Sequence, residues 1–339
     1  MTSIKDVART VGVSTATVSR ALRGLPRVSP ETRVRVLQAA AELDYVASPS
    51  AAGLASGQTR AVGVIVPFVT RWFFASVVQG AEELLREAGY DLLLYNLGGD
   101  MEARHRVFKT HLLRKRVDAV LVLSLTPTDE EVAALARLER PVAAVGAVVD
   151  GWSSVGIDDD ETARIAMRHL LDLGHRRIGY VGGSLEYQLD FAAPLDRLNG
   201  YRAALKEAEL AEDPALEVVG DFTVRGGVAA TRLLLATEPP PTAIFAASDE
   251  MAVGVVHALR ETGLRVPEDV SVIGIDDHEM AEFFELTTVA QPVREQGKLA
   301  ATLLLEALDE HGDRPRQPRV ITVPTRLIVR STTAPPPGS

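Results

Sequence analysis

Arg20 closes the run Ser14-Thr15-Ala16-Thr17-Val18-Ser19-Arg20, whose outward residues are small, hydroxylated or cationic. That is chemistry suited to a DNA groove. Hydroxyls and an amide-rich helix start bind phosphate, a methyl meets a thymine methyl, and a guanidinium forks onto guanine O6 and N7. A second group lies far along the chain: Phe74, Arg197, Phe222, Ser248, Asp276 and Gln291. An aromatic face for C–H surface, with a cation and a carboxylate that each engage two hydroxyls in fixed geometry, is what a polyol ligand requires. Taken singly these residues say little, because a lone Arg or Asp in an α/β domain is more often a surface charge or cap and a lone Phe more often core.

The elements that must hold the first group are two short helices joined by a tight turn. Ile4, Val7, Ala8 and Val11 recur at helical spacing, and Gly12 breaks the pattern. Val13 packs inward, and Ser14 stands at an N-cap position with its hydroxyl ready to accept an amide hydrogen bond. In the second helix Val18, Ala21 and Leu22 face the first. Ser29-Pro30-Glu31-Thr32 then starts a third helix, with Pro at its first position. Its apolar stripe is expected at Val34, Leu37, Ala40, Ala41 and Leu43, and Tyr45 ends it. Spacing alone does not separate this head from any amphipathic helical hairpin.

The second group needs a different scaffold. From Ala61 strands and helices alternate: Val62–Pro67, Leu92–Asn96, Ala119–Ser124 and Val142–Gly146 read as buried parallel strands, with helices near Phe74–Ala88, Glu102–Arg114 and Asp129–Leu138. The pattern restarts with strands Ile178–Gly182, Leu216–Val219, Ala243–Ala247 and Val270–Ile275 and helices Thr162–Leu173, Arg197–Ala208, Arg225–Ala236 and Glu250–Thr262. Two α/β halves with a cleft at their carboxyl strand ends bind small ligands there. Between head and body, residues 46–60 are small, polar and rich in Gly, Ser and Pro, which by composition is a linker.

A chain of 339 residues exceeds one ordinary core and suggests two to three domains. Without cysteine, it has no disulfide, thiolate metal site or cysteine nucleophile. No apolar signal region follows Met1 and no run is long enough to span a membrane, so a soluble cytoplasmic protein is expected. The formal net charge of -10 divides unevenly, with eight Lys/Arg against four Asp/Glu in residues 1–60 and the acidic excess in the remainder. A basic head on an acidic body limits non-specific adhesion and aims one end at phosphates, and the modest positive charge per head favours a dimer.

Enzyme motifs are missing: there is no G-x-S-x-G, H-E-x-x-H or G-x-x-x-x-G-K-[ST], and Gly297-Lys298 lacks the upstream glycine. Asp158-Asp159-Asp160 looks like a metal cluster but precedes a helix, where capping and the helix dipole account for it. His175, followed by two arginines at a helix end, reads as structural. No metal, cofactor or catalytic residue is expected.

The run Ile4 to Leu22 resembles the helix-turn-helix of the lactose-repressor (LacI/GalR) family of bacterial transcription regulators, with I-K-D-V-A, G-V-S and T-V-S-R at the family's separations. The resemblance continues through Leu173-Gly174-His175-Arg176-Arg177-Ile178, Arg197-Leu198-Asn199-Gly200-Tyr201, Ala246 to Gly254, Val266 to Asp277 and Leu286-Thr287-Thr288-Val289. It implies an α/β protein: a helix-turn-helix head (1–45) joined by a hinge helix or linker (46–60) to a two-lobed, type I periplasmic-binding-protein-like domain for effector binding and dimerisation (61–333). It also implies three crossings between lobes, with 61–158 and 289–318 in the first lobe and 159–288 and 319–333 in the second. The Pro/Gly run 334–339 is expected to be a disordered tail.

The implied function is sequence-specific DNA binding, as a repressor, under control of a small-molecule effector in the cleft. Its partners would be a near-palindromic double-stranded operator, a sugar effector, and a second copy or a dimer of dimers, with no membrane. On the DNA side the resemblance implicates Ser14, Thr15, Ala16, Thr17 and Arg20. In the hinge it implicates Ala51 and Leu54, the latter wedging into the minor groove. Pro49 is displaced from the family's position, and Gly53 weakens a hinge helix by about 1 kcal/mol relative to Ala. On the effector side it assigns ligand contact to Arg197 and Asp276. Ser248 replaces a common Asn and Gly146 a common Asp or Arg, which implies a roomier pocket. Trp72 and the loop Ser184–Asp196, with Glu186, Tyr187, Asp190 and Phe191, are candidates to fill it. The alternatives are control by a phosphoprotein co-regulator and a sugar-binding protein with no regulatory role.

Overall fold

A computed structural model describes residues 2–22, 24–45, 58–112, 116–184, 193–309 and 317–338. The hinge candidates Ala51 and Leu54 and the loop residues Glu186, Tyr187, Asp190 and Phe191 lie outside the described residues. The chain forms two compact units, an N-terminal head and a larger α/β body.

The head consists of α1 (Ile4–Val11), α2 (Thr15–Leu22) and α3 (Pro30–Glu42). Asp6 reaches back to the Ser3 amide at 3.0 Å and starts α1, and Gly12 ends it at φ 73°, a left-handed conformation open to glycine. Ser14 caps α2 by accepting the Thr17 amide at 3.1 Å, and Ser29 caps α3 by accepting that of Thr32 at 3.2 Å. Val7, Ala8, Val11, Val18 and Ala21 meet Val36, Ala39 and Ala40 in one small core. The stripe expected on α3 is therefore misphased. Val34 and Leu37 are 63% and 48% exposed and Ala41 is also exposed, while Val36 takes the buried place. Apolar residues occur on both faces of this helix, and docking against α1 and α2 selects one of them.

The body holds two six-stranded sheets. The first lobe comprises β1 (Ala61–Val66), α4 (Trp72–Glu87), β2 (Asp91–Asn96), α5 (Met101–Arg106), β3 (Ala119–Leu123), α6 (Asp129–Ala136), β4 (Val142–Val145) and β5 (Ser153–Gly156). The second comprises α7 (Asp159–Asp172), β6 (Ile178–Gly182), α8 (Ala193–Glu207), β7 (Glu217–Val219), α9 (Val224–Leu235), β8 (Ala243–Ala246), α10 (Asp249–Glu261), β9 (Ser271–Asp276), α11 (Glu279–Phe283) and β10 (Thr287–Ala290). The chain then returns through α12 (Val293–Leu308) and β11 (Val320–Thr322) to the first lobe and ends with β12 (Arg326–Ile328) in the second. Strand orders are β11-β5-β4-β3-β1-β2 and β12-β10-β9-β8-β6-β7, with β12 antiparallel to β10.

The chain does cross between the sheets three times, but later than expected at two of the crossings. β10 still belongs to the second sheet, so return to the first falls at Gln291-Pro292 rather than before Val289. β11 pairs in parallel with β5, so Val320–Thr322 stays in the first lobe and the last crossing is at 323–325 rather than 318–319. β5 itself was not expected: Ser153-Ser154-Val155-Gly156 has little strand character and is held by β4 and β11 on either side. In the first lobe α12 lies against α4 at backbone contact, since a Cβ on Gly297 would sit 2.1 Å from the Val77 carbonyl oxygen. Gly297 thus has a packing role.

The expected tail is tied down at its start. The Ala334 amide donates to Ser271 Oγ at 3.0 Å, and its carbonyl accepts from that hydroxyl at 3.0 Å and lies 2.9 Å from His175 Nε2. His175, buried and also 2.9 Å from Thr242 Oγ1, has a pKa lowered by desolvation and serves as a neutral structural clamp. Proline and glycine cannot build core, but a single residue can close the hydrogen bonds of a buried histidine.

Candidate effector cavity and DNA-reading helix

In the head, Ser14, Thr15, Ala16 and Arg20 are exposed and Thr17 is half-buried. Ser14 and Thr17 share a hydroxyl hydrogen bond of 2.9 Å, which orders the start of α2. The core takes Val18 and Ala21 from the opposite face. The outward row is thus a by-product of packing: once two apolar residues fix the helix rotation, the hydroxyls and Arg20 point away.

In the body, Phe74, Arg197, Phe222, Ser248, Asp276 and Gln291 line one cavity between the lobes, partly open to solvent. Phe74 comes from the first turn of α4 and Arg197 from α8. Asp276 ends β9, and Gln291 stands at the second crossing.

The buried charges Arg197 and Asp276 are both paired. Arg197, 5% exposed, donates through Nε to Asp159 Oδ1 at 2.7 Å and through Nη1 to the Ala247 carbonyl, with the Phe222 ring centroid 6.0 Å from its Cζ. Burial works against its charge, but Asp159 and Asp276 outweigh it and leave its pKa raised. Asp276 accepts from Gln291 Nε2 at 2.6 Å, and Gln296 Nε2 donates to Gln291 Oε1 at 2.8 Å. This chain fixes which way the Gln291 amide points, so a buried glutamine orients the Asp276 carboxylate. Burial pushes the Asp276 carboxyl up to about 6 despite Arg197 and Gln291. Phe222 and Asp276 also adopt φ of 52° and 127°, conformations disfavoured for side-chain-bearing residues and concentrated at ligand sites.

The two departures from the family pattern have local explanations. Ser248 caps α10, accepting the Met251 amide at 3.3 Å, so its hydroxyl is engaged in the helix start. At Gly146, φ is 72° and a Cβ would lie 2.5 Å from Ser124 Oγ. The Ser124 hydroxyl therefore occupies part of the room that a missing side chain was expected to leave. Trp72, a suggested substitute contact, is not among the residues lining the cavity. Its ring lies 4.7 Å from that of His278 and borders a separate surface depression.

Sequence reasoning missed Arg71, Phe73, Ser124, Asp159, Glu250 and Gln296, all of which line the same cavity. Asp159 was legible in part. Within Asp158-Asp159-Asp160 the first residue caps α7, accepting the Glu161 amide at 2.9 Å, and the second is left to pair with Arg197. Among the described residues no group of acidic or histidine side chains could hold a metal, and no helix is long and apolar enough to cross a membrane.

Comparison with known proteins agrees with this architecture. Residues 3–48 match the model of bacterial regulatory proteins of the lacI family, and residues 167–333 match the periplasmic binding protein-like domain. The chain belongs to the lacI family of bacterial regulatory proteins. It is 37% identical over 341 residues to the HTH-type transcriptional repressor PurR of Vibrio atlanticus (strain LGP32), covering 98% of both chains. The complex of the transcriptional regulator CelR with cellobiose superposes with a TM-score of 0.72 at 34% identity, over 98% of this chain and 100% of that one. The lac repressor dimer bound to operator and the anti-inducer ONPF gives a TM-score of 0.84 at 28% identity, over 98% and 99%. The chain is accordingly a DNA-binding transcriptional repressor with an effector-binding domain, and not an enzyme.

Proposed function

We propose that the protein binds a near-palindromic operator as a homodimer through Ser14, Thr15, Ala16, Thr17 and Arg20, and that a sugar in the interlobe cavity controls that binding. Ala51 and Leu54, outside the described residues, would add the minor-groove contact. The observation that carries the effector reading is the pairing of two buried polar centres, Arg197 with Asp159 and Asp276 with Gln291, on one cavity beside Phe74 and Phe222. Both centres keep acceptor or donor capacity towards the cavity, as ring hydroxyls require, and the aromatic rings suit C–H faces. The likeness to a regulator solved with cellobiose supports a sugar, while the likeness to the repressor PurR makes nucleobases the natural competitor in the test.

A thermal-shift screen of sugars and nucleobases, followed by an operator-shift assay, tests this. A ligand at a hundredfold its dissociation constant stabilises by about 2.7 kcal/mol. A sugar that does so and changes operator affinity supports the reading. Stabilisation by a nucleobase alone refutes the sugar, and a protein indifferent to every compound but responsive to a phosphoprotein points to co-regulator control.

A further inference from the structure

The cavity contains one carboxylate that the pairs above leave over. Glu250, in the first turn of α10, lines the same space as Asp276 and Arg197. Among the described residues no hydrogen bond or ion pair reaches its side chain, whereas Asp159 has Arg197 and Asp276 has Gln291. Arg71 is near enough to act on Glu250 electrostatically, but it lies over the Phe68 ring at 4.1 Å. A half-buried carboxylate without a partner loses hydration and gains nothing from the protein in return. It is explained if a donor arrives with the ligand.

The balance of charge around it points the same way. The described lining has Asp159, Glu250 and Asp276 against Arg71 and Arg197, and Arg197 is already engaged by Asp159 and the Ala247 carbonyl. A phosphate or carboxylate on the ligand would therefore enter beside surplus negative charge, with Arg71 over the Phe68 ring the one lining cation not paired to a carboxylate among the described residues, and at short range in a partly desolvated site that repulsion is strong.

We propose that Glu250 is a ligand-contacting hydrogen-bond acceptor that makes this cavity selective for an uncharged, hydroxyl-bearing sugar over the phosphorylated or carboxylated forms of the same sugar. This rests on the effector reading of the cavity. Glu250 accepts from a ligand hydroxyl, Asp276 and Arg197 hold others, and Arg71 faces the same end. Burial first, and the Asp276 charge second, push the Glu250 carboxyl up to about 7, with Arg71 opposing. A ligand hydroxyl donating to the ionised carboxylate stabilises that form, so binding releases a proton near neutrality.

The test is isothermal titration of the full chain with neutral mono- and disaccharides, their 6-phosphates and the corresponding uronic acids, from pH 6 to 8. The neutral sugar that binds should outcompete its phosphate by at least tenfold. Its affinity should rise with pH by a few-fold between pH 6.5 and 8. Glu250→Gln should abolish that rise, reduce neutral-sugar affinity about tenfold and narrow the gap to the phosphate. Asp276, with its pKa near 6, also titrates in this range, along with any contribution from Asp159 and the two arginines, so the slope surviving in Glu250→Gln belongs to them. A role confined to folding would lower stability without changing the pH slope or the preference between neutral and anionic sugars. Equal or tighter binding of the phosphate, or a pH slope unchanged in Glu250→Gln, overturns the assignment while leaving the sugar reading intact. If no sugar binds at all, both fall.

Discussion

Replacing Arg197 with Ala separates what this residue does for folding from what it does for the ligand. In the structure its guanidinium donates to Asp159 and to the Ala247 carbonyl, and the paired side chains are 6% and 13% exposed. Removing one member of a buried pair costs about 3–5 kcal/mol, because the survivor keeps its desolvation penalty without compensation. Asp159 retains some solvent access, which places the expected loss near the low end, at about 3 kcal/mol. With roughly 2–4 °C per kcal/mol for domains of comparable or somewhat smaller size, Tm should fall by about 6 °C or more. The double variant Asp159→Asn, Arg197→Met removes both charges together and should recover most of that stability, since apolar or neutral replacement of a whole buried pair is often close to neutral. Neither variant should bind the effector. Thermal denaturation with calorimetric titration of each protein checks all of this. A double variant as unstable as Arg197→Ala would show that Asp159 is not the charge Arg197 neutralises, and full effector affinity in either variant would remove Arg197 from the ligand site.

Arg20→Ala should lose about 1–3 kcal/mol of preference for operator over random DNA and relax specificity at one base per half-site, measured by competition binding; equal loss on both DNAs would reduce Arg20 to a phosphate contact. Tyr180, buried between Tyr201 and Phe245, has a hydroxyl with no hydrogen-bond partner among the described residues. Tyr180→Phe should therefore raise stability, by about 1 kcal/mol or more on chemical denaturation, and a loss of stability would reveal an unseen partner. Without ligand, Asp276 and Glu250 hold protons up to about pH 6 and 7, above their unfolded values of about 4. The stabilisation this provides is present below the unfolded pKa and is lost as pH rises through the folded values. Glu250→Gln should thus gain stability over wild type more at pH 8 than at pH 5, and an equal gain at both would contradict a raised Glu250 pKa.

The helices and strands were legible because each has its own period and punctuation. Gly12, Ser14 and the Ser29-Pro30 pair mark helix ends through backbone geometry that depends on immediate neighbours alone. The alternation of apolar strands with amphipathic helices likewise announced two α/β lobes, and the carboxyl strand ends located the cleft. Phe74, Arg197, Phe222, Ser248, Asp276 and Gln291 could be named from motif position, and the fold brings all six to one cavity.

Other features depended on partners distant in sequence. The buried face of α3 passed from Val34 and Leu37 to Val36 and Ala39 because α1 and α2, not helical periodicity, select the face that docks. β5 is short and weakly apolar and becomes a strand by pairing with β4 on one side and, across more than 160 residues, with the three-residue β11 on the other. Ala334 is fixed by a histidine 159 positions earlier. In the cavity, Asp159 acquired its role from Arg197, and Glu250 stands out only because Asp159, Arg197 and Asp276 have each found a hydrogen-bonding partner. Local sequence determines where the backbone turns and which residues are apolar. Which buried charges are paired, and which one is left facing the cavity, follows from tertiary packing, because desolvation and pairing energies depend on neighbours that the chain order does not specify.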